Sequence, residues 1–451
     1  MIETWNTTAL IEKDLEYVLH PVTNLHRHAE RGPLVLAHGE GSRVWDTDGN
    51  VFIDGFAGLW NVNVGHGRVL LADVGREQMA RLAYQPMFFG LATPPPIELA
   101  AKLASMYPGP INHFQFTSGG AESNETAFKI ARYYWHLRGQ PERVKIISRL
   151  MGYHGIASGA LAATGIPAYW EGFGPRSPGF LHVSAPYRYR NAAEGMSDAE
   201  FVAALVRELE ETIEREGPGT IAALIGEPVQ GAGGVVPPPE GYWPAITAVL
   251  KRHGILFIAD EVINGFGRTG TMFGVQQYGV QPDIVALAKG ITSGYVPLGA
   301  VGVSDTIYRA MLEPDAMFMH GFTYSGHPVA CAVGIANIAL IEDEDLPANA
   351  AACGEQLLAG LRELLAHPHV GDVRGIGLMA IVEVVSDKAT KGRYTAASDV
   401  GVKLQAATRR RGIIVRCNDT GITLSPPLVI TADEVDTLVA AVRESVVEVL
   451  G

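Results

Sequence analysis

Three short runs, Ile221-Ala-Ala-Leu-Ile225, Leu256-Phe-Ile-Ala259 and Ile284-Val-Ala-Leu-Ala288, are apolar at every position. A strand with one face in water alternates apolar and polar residues, so unbroken apolar runs of this length belong to strands covered on both faces. Helical stretches such as Tyr242 to His253 separate them. A strand–helix rhythm of this kind builds a parallel sheet flanked by helices, whose ligands lie outside the carboxyl ends of the strands. The rhythm begins near Ile97. Helices are predicted over Pro96–Ser105, Ala121–Leu137 and Ala199–Glu216, and strands over Phe114–Phe116, Val144–Ile147 and Val301–Val303.

Chemistry is concentrated where these strands end. Lys289 follows the run Ile284–Ala288 directly. An ammonium loses much solvation in such a place, so the lysine either snorkels to water or is held as an imine, which buries no charge. Glu227 ends the first run, just before Pro228, and Asp260-Glu261 ends the second. These acids can cap a neighbouring helix or hold a cationic ring. No further His, Asp or Glu completes a ligand set beside them, so no metal is expected. The strand Phe114–Phe116 turns through Ser118-Gly119-Gly120 into a helix, which aims backbone N–H groups and a positive helix end at one point. That turn is either a plain N-cap or an anion cradle. With no lysine after the glycines it is not a nucleotide P-loop.

Gly265-Phe-Gly267-Arg-Thr-Gly270 has the spacing of a dinucleotide fingerprint. No helical stripe opens at these glycines and Asp283 comes too early for the ribose acid, so they read as loop rather than as an oxidoreductase site. An anion cradle, an acid for a ring nitrogen and an imine-forming lysine are the three attachments that pyridoxal phosphate requires.

The rest of the chain frames this core. Gly41 to Asp54 alternates about Asp48-Gly49-Asn50 and predicts a β-hairpin, after an N-terminal arm with an amphipathic piece from Ala9 to Leu19. Beyond Pro328 come helices over Val329–Ile341 and Asn349–Leu365, strands over Leu378–Val385 and Ile413–Arg416, and a last helix opened by the capping box Thr431-Ala-Asp-Glu434. This tail predicts a second, α+β domain. At 451 residues with a net charge of −13, the chain suits neither nucleic acid nor an anionic membrane as a partner. Three scattered cysteines, no basic and apolar leader, and no apolar run of membrane-spanning length point to a cytoplasmic protein.

Four segments taken together resemble the class III (ω-type) aminotransferases of PLP fold type I. They are Leu256–Gly270, Ala288-Lys289-Gly290, Ser118–Glu125 and Gly321-Phe-Thr-Tyr-Ser-Gly-His-Pro328. The likeness runs from Trp45 to Leu428 and is greatest to amine:pyruvate ω-transaminases. It implies a large domain (66–328) with a mostly parallel seven-stranded sheet, and a small α+β domain built from 1–65 and 329–451. It also implies a homodimer with shared active sites.

By this resemblance Lys289 is the Schiff-base lysine and proton carrier, and Asp260 is the partner of the pyridine nitrogen. Ser118, Gly119 and Gly120 cradle the phosphate, joined by Thr323 from a neighbouring subunit. Tyr153 and Val262 flank the ring, His154 is a further cofactor contact, and Glu227 supports Asp260. Many members carry serine or alanine where this chain has Gly120. Arg416 is similar to the arginine that takes the substrate carboxylate in pyruvate-using members, a task that suits a planar cation. Trp60 resembles a pocket wall, with Tyr153 and the partner-derived Phe88 and Phe89; Arg268 has no single implied role. The expectation is ping-pong transfer of an amino group from a primary amine or ω-amino acid to pyruvate, giving alanine. The alternatives are a 2-oxoglutarate-dependent ω-amino acid aminotransferase or a semialdehyde aminomutase.

Overall fold

A computed structural model describes residues 5–451. Its centre is a seven-stranded sheet in the order Ile111–Thr117, Gly299–Ser304, Ile284–Leu287, Leu256–Asp260, Ile221–Gly226, Lys145–Arg149 and Phe180–Val183. Only Gly299–Ser304 runs antiparallel to its neighbours; the other pairings along the sheet are parallel. The three apolar runs lie side by side in the middle, and every residue of those strands is buried. Their carboxyl ends share one edge of the sheet, because Gly226 pairs with Ala259 and Asp260 with Ala286.

Two smaller sheets flank this core. One joins Leu36–Glu40, Arg43–Asp46 and Val51–Asp54 to Ile413–Ile414, so the two ends of the chain meet in one sheet. The other comprises Val370–Ile376, Met379–Val384, Gly421–Leu424 and Arg416–Asn418. The predicted strand Ile413–Arg416 is therefore not one strand. Ile413 pairs with Ile53 in the first small sheet, and Arg416 pairs with Thr423 in the second. Val415, buried between them, is the point where the chain changes sheets.

The predicted hairpin forms between Arg43–Asp46 and Val51–Asp54, and Asp46 accepts hydrogen bonds from the backbone N–H groups of Asp48 and Asn50 inside the turn. The capping box at Thr431 opens the helix Ala432–Leu450. Gly265–Gly270 contains no regular element. Arg268 from that loop is fully buried and donates to the carbonyls of Leu378 and Pro426 and to Asn63 Oδ1. It ties segments distant in sequence together and does not line the cavity described below.

Candidate active site

A cavity of about 650 Å³ opens at the carboxyl edge of the central sheet. Ser118, Gly119, Gly120, Tyr153, His154, Glu227, Asp260, Val262, Lys289, Trp60 and Arg416 all line it. Most of these follow strands of the central sheet that end at this edge, whereas Trp60 follows a strand of one small sheet and Arg416 lies in a strand of the other.

Asp260 is the anionic floor. Its Oδ2 accepts hydrogen bonds from Asn124 Nδ2 at 2.8 Å and faces His154 Nδ1 at 2.7 Å, and its Oδ1 accepts from the Val262 N–H at 3.1 Å. With 2% exposure it is a buried carboxylate whose oxygens are fixed in position by these three partners. Glu227, also buried, accepts from the N–H groups of Tyr153 and Gly231. Burial raises its carboxyl above the ordinary range, and Asp260 adds to the rise against the opposing pull of His154. Glu261 points the other way. It accepts from the amides of Gly274 and Val275 and is a buried loop brace, pushed by burial to a pKa of about 7.

Lys289 is half-buried at the cavity wall. Burial lowers its pKa from 10.5 to about 8, although Asp260 and Glu227 pull it back up; Arg268 and Arg416 push it further down. Its backbone lies in the left-handed region at φ 46°, a costly place for a side-chain-bearing residue. Buried amides hold the turn there. Asn337 Nδ2 donates to the carbonyls of Gly290 and Ile291, and Asn63 Nδ2 donates to Phe266 while its Oδ1 accepts from Arg268. A Cβ on Gly290 would come within 2.5 Å of Asn63 Nδ2, so only glycine lets this amide approach.

The turn Ser118–Gly120 opens the helix Gly120–Leu137, whose N-cap is Gly119 without any side-chain cap. Its first N–H groups are thus available to an anion. Space beside Gly119 is open, whereas a Cβ on Gly120 would meet Val262 Cγ1 at 2.8 Å. Glycine at 120 therefore goes with the position of Val262. An uncapped helix end, a fixed buried carboxylate and a lysine of lowered pKa around one cavity match the phosphate, ring nitrogen and aldehyde of pyridoxal phosphate.

Three residues of the sequence reading lie elsewhere. Thr323 and Phe89 are exposed, Phe88 is half-buried, and none lines this cavity. They share one surface region: a Cβ on Gly321 would touch the Phe88 ring, and the Tyr84 hydroxyl donates to the Thr323 carbonyl. Asn124, Asn63 and Asn337 were missed by the sequence reading. Asn124 stood inside the Ser118–Glu125 motif, and its only signal was a run of polar residues on what proves to be the buried face of a helix.

Fold and site define a pyridoxal-phosphate-dependent transferase of fold type I. The family model "Aminotransferase class-III" matches residues 25–446, and the chain belongs to the class III aminotransferases. A thermostable (S)-enantioselective omega-transaminase from Thermomicrobium roseum is 65% identical, superposes with a TM-score of 0.98, and both chains are covered over 100% of their length. A putrescine–pyruvate aminotransferase of Pseudomonas aeruginosa is 41% identical, covering 95% of this chain and 94% of that protein. A diaminobutyrate–2-oxoglutarate transaminase of Halomonas elongata is 42% identical, covering 97% and 95%.

The chain is thus an enzyme that moves an amino group between an amine and an oxo acid. Among the described residues no helix is long and apolar enough to cross a membrane. A lysine of lowered pKa that meets the cofactor's aldehyde would set a pH dependence. Only the neutral amine attacks an aldehyde, and a pKa of about 8 leaves a minority of Lys289 neutral below that pH. Mixing apoprotein with pyridoxal phosphate is expected to develop the cofactor's visible band faster as pH rises, about tenfold per unit below pH 8. Above pH 8 the rate levels off. Stopped-flow absorbance measures it; a rate still climbing toward pH 10.5 would mean an unperturbed lysine.

Proposed function

We propose that this aminotransferase takes its amino group from a primary amine or ω-amino acid and gives it to pyruvate, forming alanine. Arg416 carries this reading. It stands on the cavity wall in the strand Arg416–Asn418, half-buried, and among the described residues its guanidinium is held only by a long 3.5 Å contact to the Ala232 carbonyl. A guanidinium so lightly engaged is free to take a carboxylate through two parallel hydrogen bonds.

In this proposal Ser118, Gly119 and Gly120 bind the phosphate through the helix end, and Tyr153 and Val262 flank the ring. Asp260, braced by Asn124 and His154, keeps a negative charge at the ring nitrogen, and Glu227 supports that network. Bound pyridoxal phosphate supplies an electron sink for charge developing at the substrate's α-carbon. Lys289 Nζ would take the proton from that carbon and deliver it to the cofactor's aldehyde-derived carbon. Trp60, buried and with φ 59°, limits the width of the substrate side. Both substrates use one cavity in turn, which gives ping-pong kinetics. Thr323, Phe88 and Phe89 complete the site of a second copy in a homodimer, consistent with the surface region they share away from this cavity. The small domain comprises 1–65 and 329–451 around a large domain of 66–328. Three free cysteines suit a cytoplasmic enzyme.

A 2-oxoglutarate-dependent reading has one observation in its favour. A second cavity, of about 1080 Å³, shares Arg416 with the first and adds Arg176 and Arg393, enough cation for a second carboxylate. Arg416→Leu tests the arginine that both readings share, and the acceptor that the wild type uses separates them. With pyruvate as acceptor the variant is expected to lose roughly a hundredfold in kcat/KM, the worth of a charged hydrogen-bonded pair. The half-reaction with an uncharged-tail amine changes far less. If the wild type uses 2-oxoglutarate and not pyruvate, the pyruvate assignment fails.

A further inference from the structure

The N-terminal arm holds a cluster that amino transfer does not use. Asp14 lies in the helix Thr7–Tyr17, His28 in the helix Leu25–Arg31, and His20 in the connection between them. The Asp14 carboxylate is faced on both sides: Oδ1 is 2.8 Å from His20 Nε2, and Oδ2 is 2.8 Å from His28 Nε2. The two imidazoles are 4.2 Å apart between ring centres and tilted by 43°. One ligand atom from each of the three residues falls within 4.8 Å of the others.

Neither helix of the arm has a fully buried residue, so polar contacts carry its geometry. Besides the cluster these are Thr7 on Thr47 and Asp48, and the ion pair of Arg27 with Asp399. The loop that the cluster closes carries Pro21 and Val22, which stand at the rim of both cavities, and Val22 is held at φ 49°. Whatever fixes Asp14, His20 and His28 therefore fixes the rim.

We propose that Asp14, His20 and His28 form a binding site for one divalent transition-metal ion, such as zinc, that pins this loop beside the active-site cavity. Two imidazole nitrogens and a carboxylate oxygen are a donor set that zinc, nickel and copper prefer, and one that magnesium or calcium does not. Bonds of about 2.0–2.1 Å at tetrahedral angles separate ligand atoms by about 3.4 Å. Each imidazole then retreats by roughly half an ångström from its 2.8 Å contact, and the ligand atoms, now within 4.8 Å of one another, draw in around the ion. Both rings already present Nε2 to the Asp14 carboxylate, one to each oxygen. The ion replaces the protons that now bridge nitrogen and oxygen, and a water on the open side completes four-coordination.

The test uses holoenzyme stripped with chelator and dialysed. Zinc chloride is titrated by calorimetry, and retained metal is counted by mass spectrometry after gel filtration. Wild type is expected to hold one zinc per chain, and His20→Gln and His28→Gln each to bind roughly a hundredfold more weakly. Retention of the cofactor's visible band shows that both variants are folded. Zinc, and not magnesium, is also expected to slow tryptic cleavage after Arg27 in the wild type at least several-fold, with no effect in either variant. Equal zinc binding by all three proteins, no stoichiometric binding by the wild type, or zinc-independent cleavage overturns the site.

Discussion

Lys289→Ala is expected to abolish turnover and to remove the covalent cofactor signal in the same protein. The amine proposed both to anchor the cofactor and to move the substrate proton is lost, so the amine half-reaction is expected to fall by about 10⁴-fold or more. Alanine leaves the fold intact, since the half-buried lysine side chain faces a cavity rather than a packed core. Far-ultraviolet circular dichroism is expected to be unchanged. Borohydride is expected to trap pyridoxyl label in the wild type and not in the variant. A variant that keeps more than roughly a hundredth of the wild-type rate would remove Lys289 from the proposed role.

Asp260→Asn is the second large effect, and here the shape is kept while the charge goes. The new amide still accepts from the Val262 N–H through one oxygen, but its NH2 then meets two donors, Asn124 Nδ2 and His154 Nδ1. A buried donor without an acceptor costs about 1–3 kcal/mol, and the negative charge proposed to face the ring nitrogen is lost outright. The deprotonation step is expected to slow by about 10³-fold, while the visible band still forms because Lys289 remains. Single-turnover absorbance with an amine donor measures both. Loss below tenfold would make Asp260 a structural brace for His154 instead.

The parts of the fold that were legible in the sequence are those where burial writes a pattern. The three central strands are apolar throughout because both faces are covered, and the helix Tyr242–His253 shows its stripe plainly. The helix Val69–Leu82 was missed because only Leu71 and Gly75 are buried, and Val69, Leu70, Met79 and Leu82 lie exposed, which blurs any stripe. Phe180–Val183, an edge strand after a glycine- and proline-rich loop, has one buried residue and no alternation to read. Ile413–Arg416 shows a different limit: an extended run reveals its backbone but not which sheet each residue joins.

The site divides in the same way. Lys289, Asp260 and Glu227 announce themselves as charges at the ends of apolar strands. Asn63, Asn124 and Asn337 do not, because a buried amide looks like any polar residue until its partners are known. Arg268 looked like part of a glycine loop of mixed role. Its three acceptors come from residues 63, 378 and 426, distances along the chain that no local pattern encodes.

The left-handed backbone at Lys289 bears on how such a chain evolves. Glycine occupies φ 46° freely, whereas lysine pays about 1 kcal/mol there, and burying its amine costs more. Mutation toward glycine at this position would therefore make the protein sturdier as it made it inert. Selection for a stable fold alone would erase this lysine, so a lineage keeps it only while the reaction is being used.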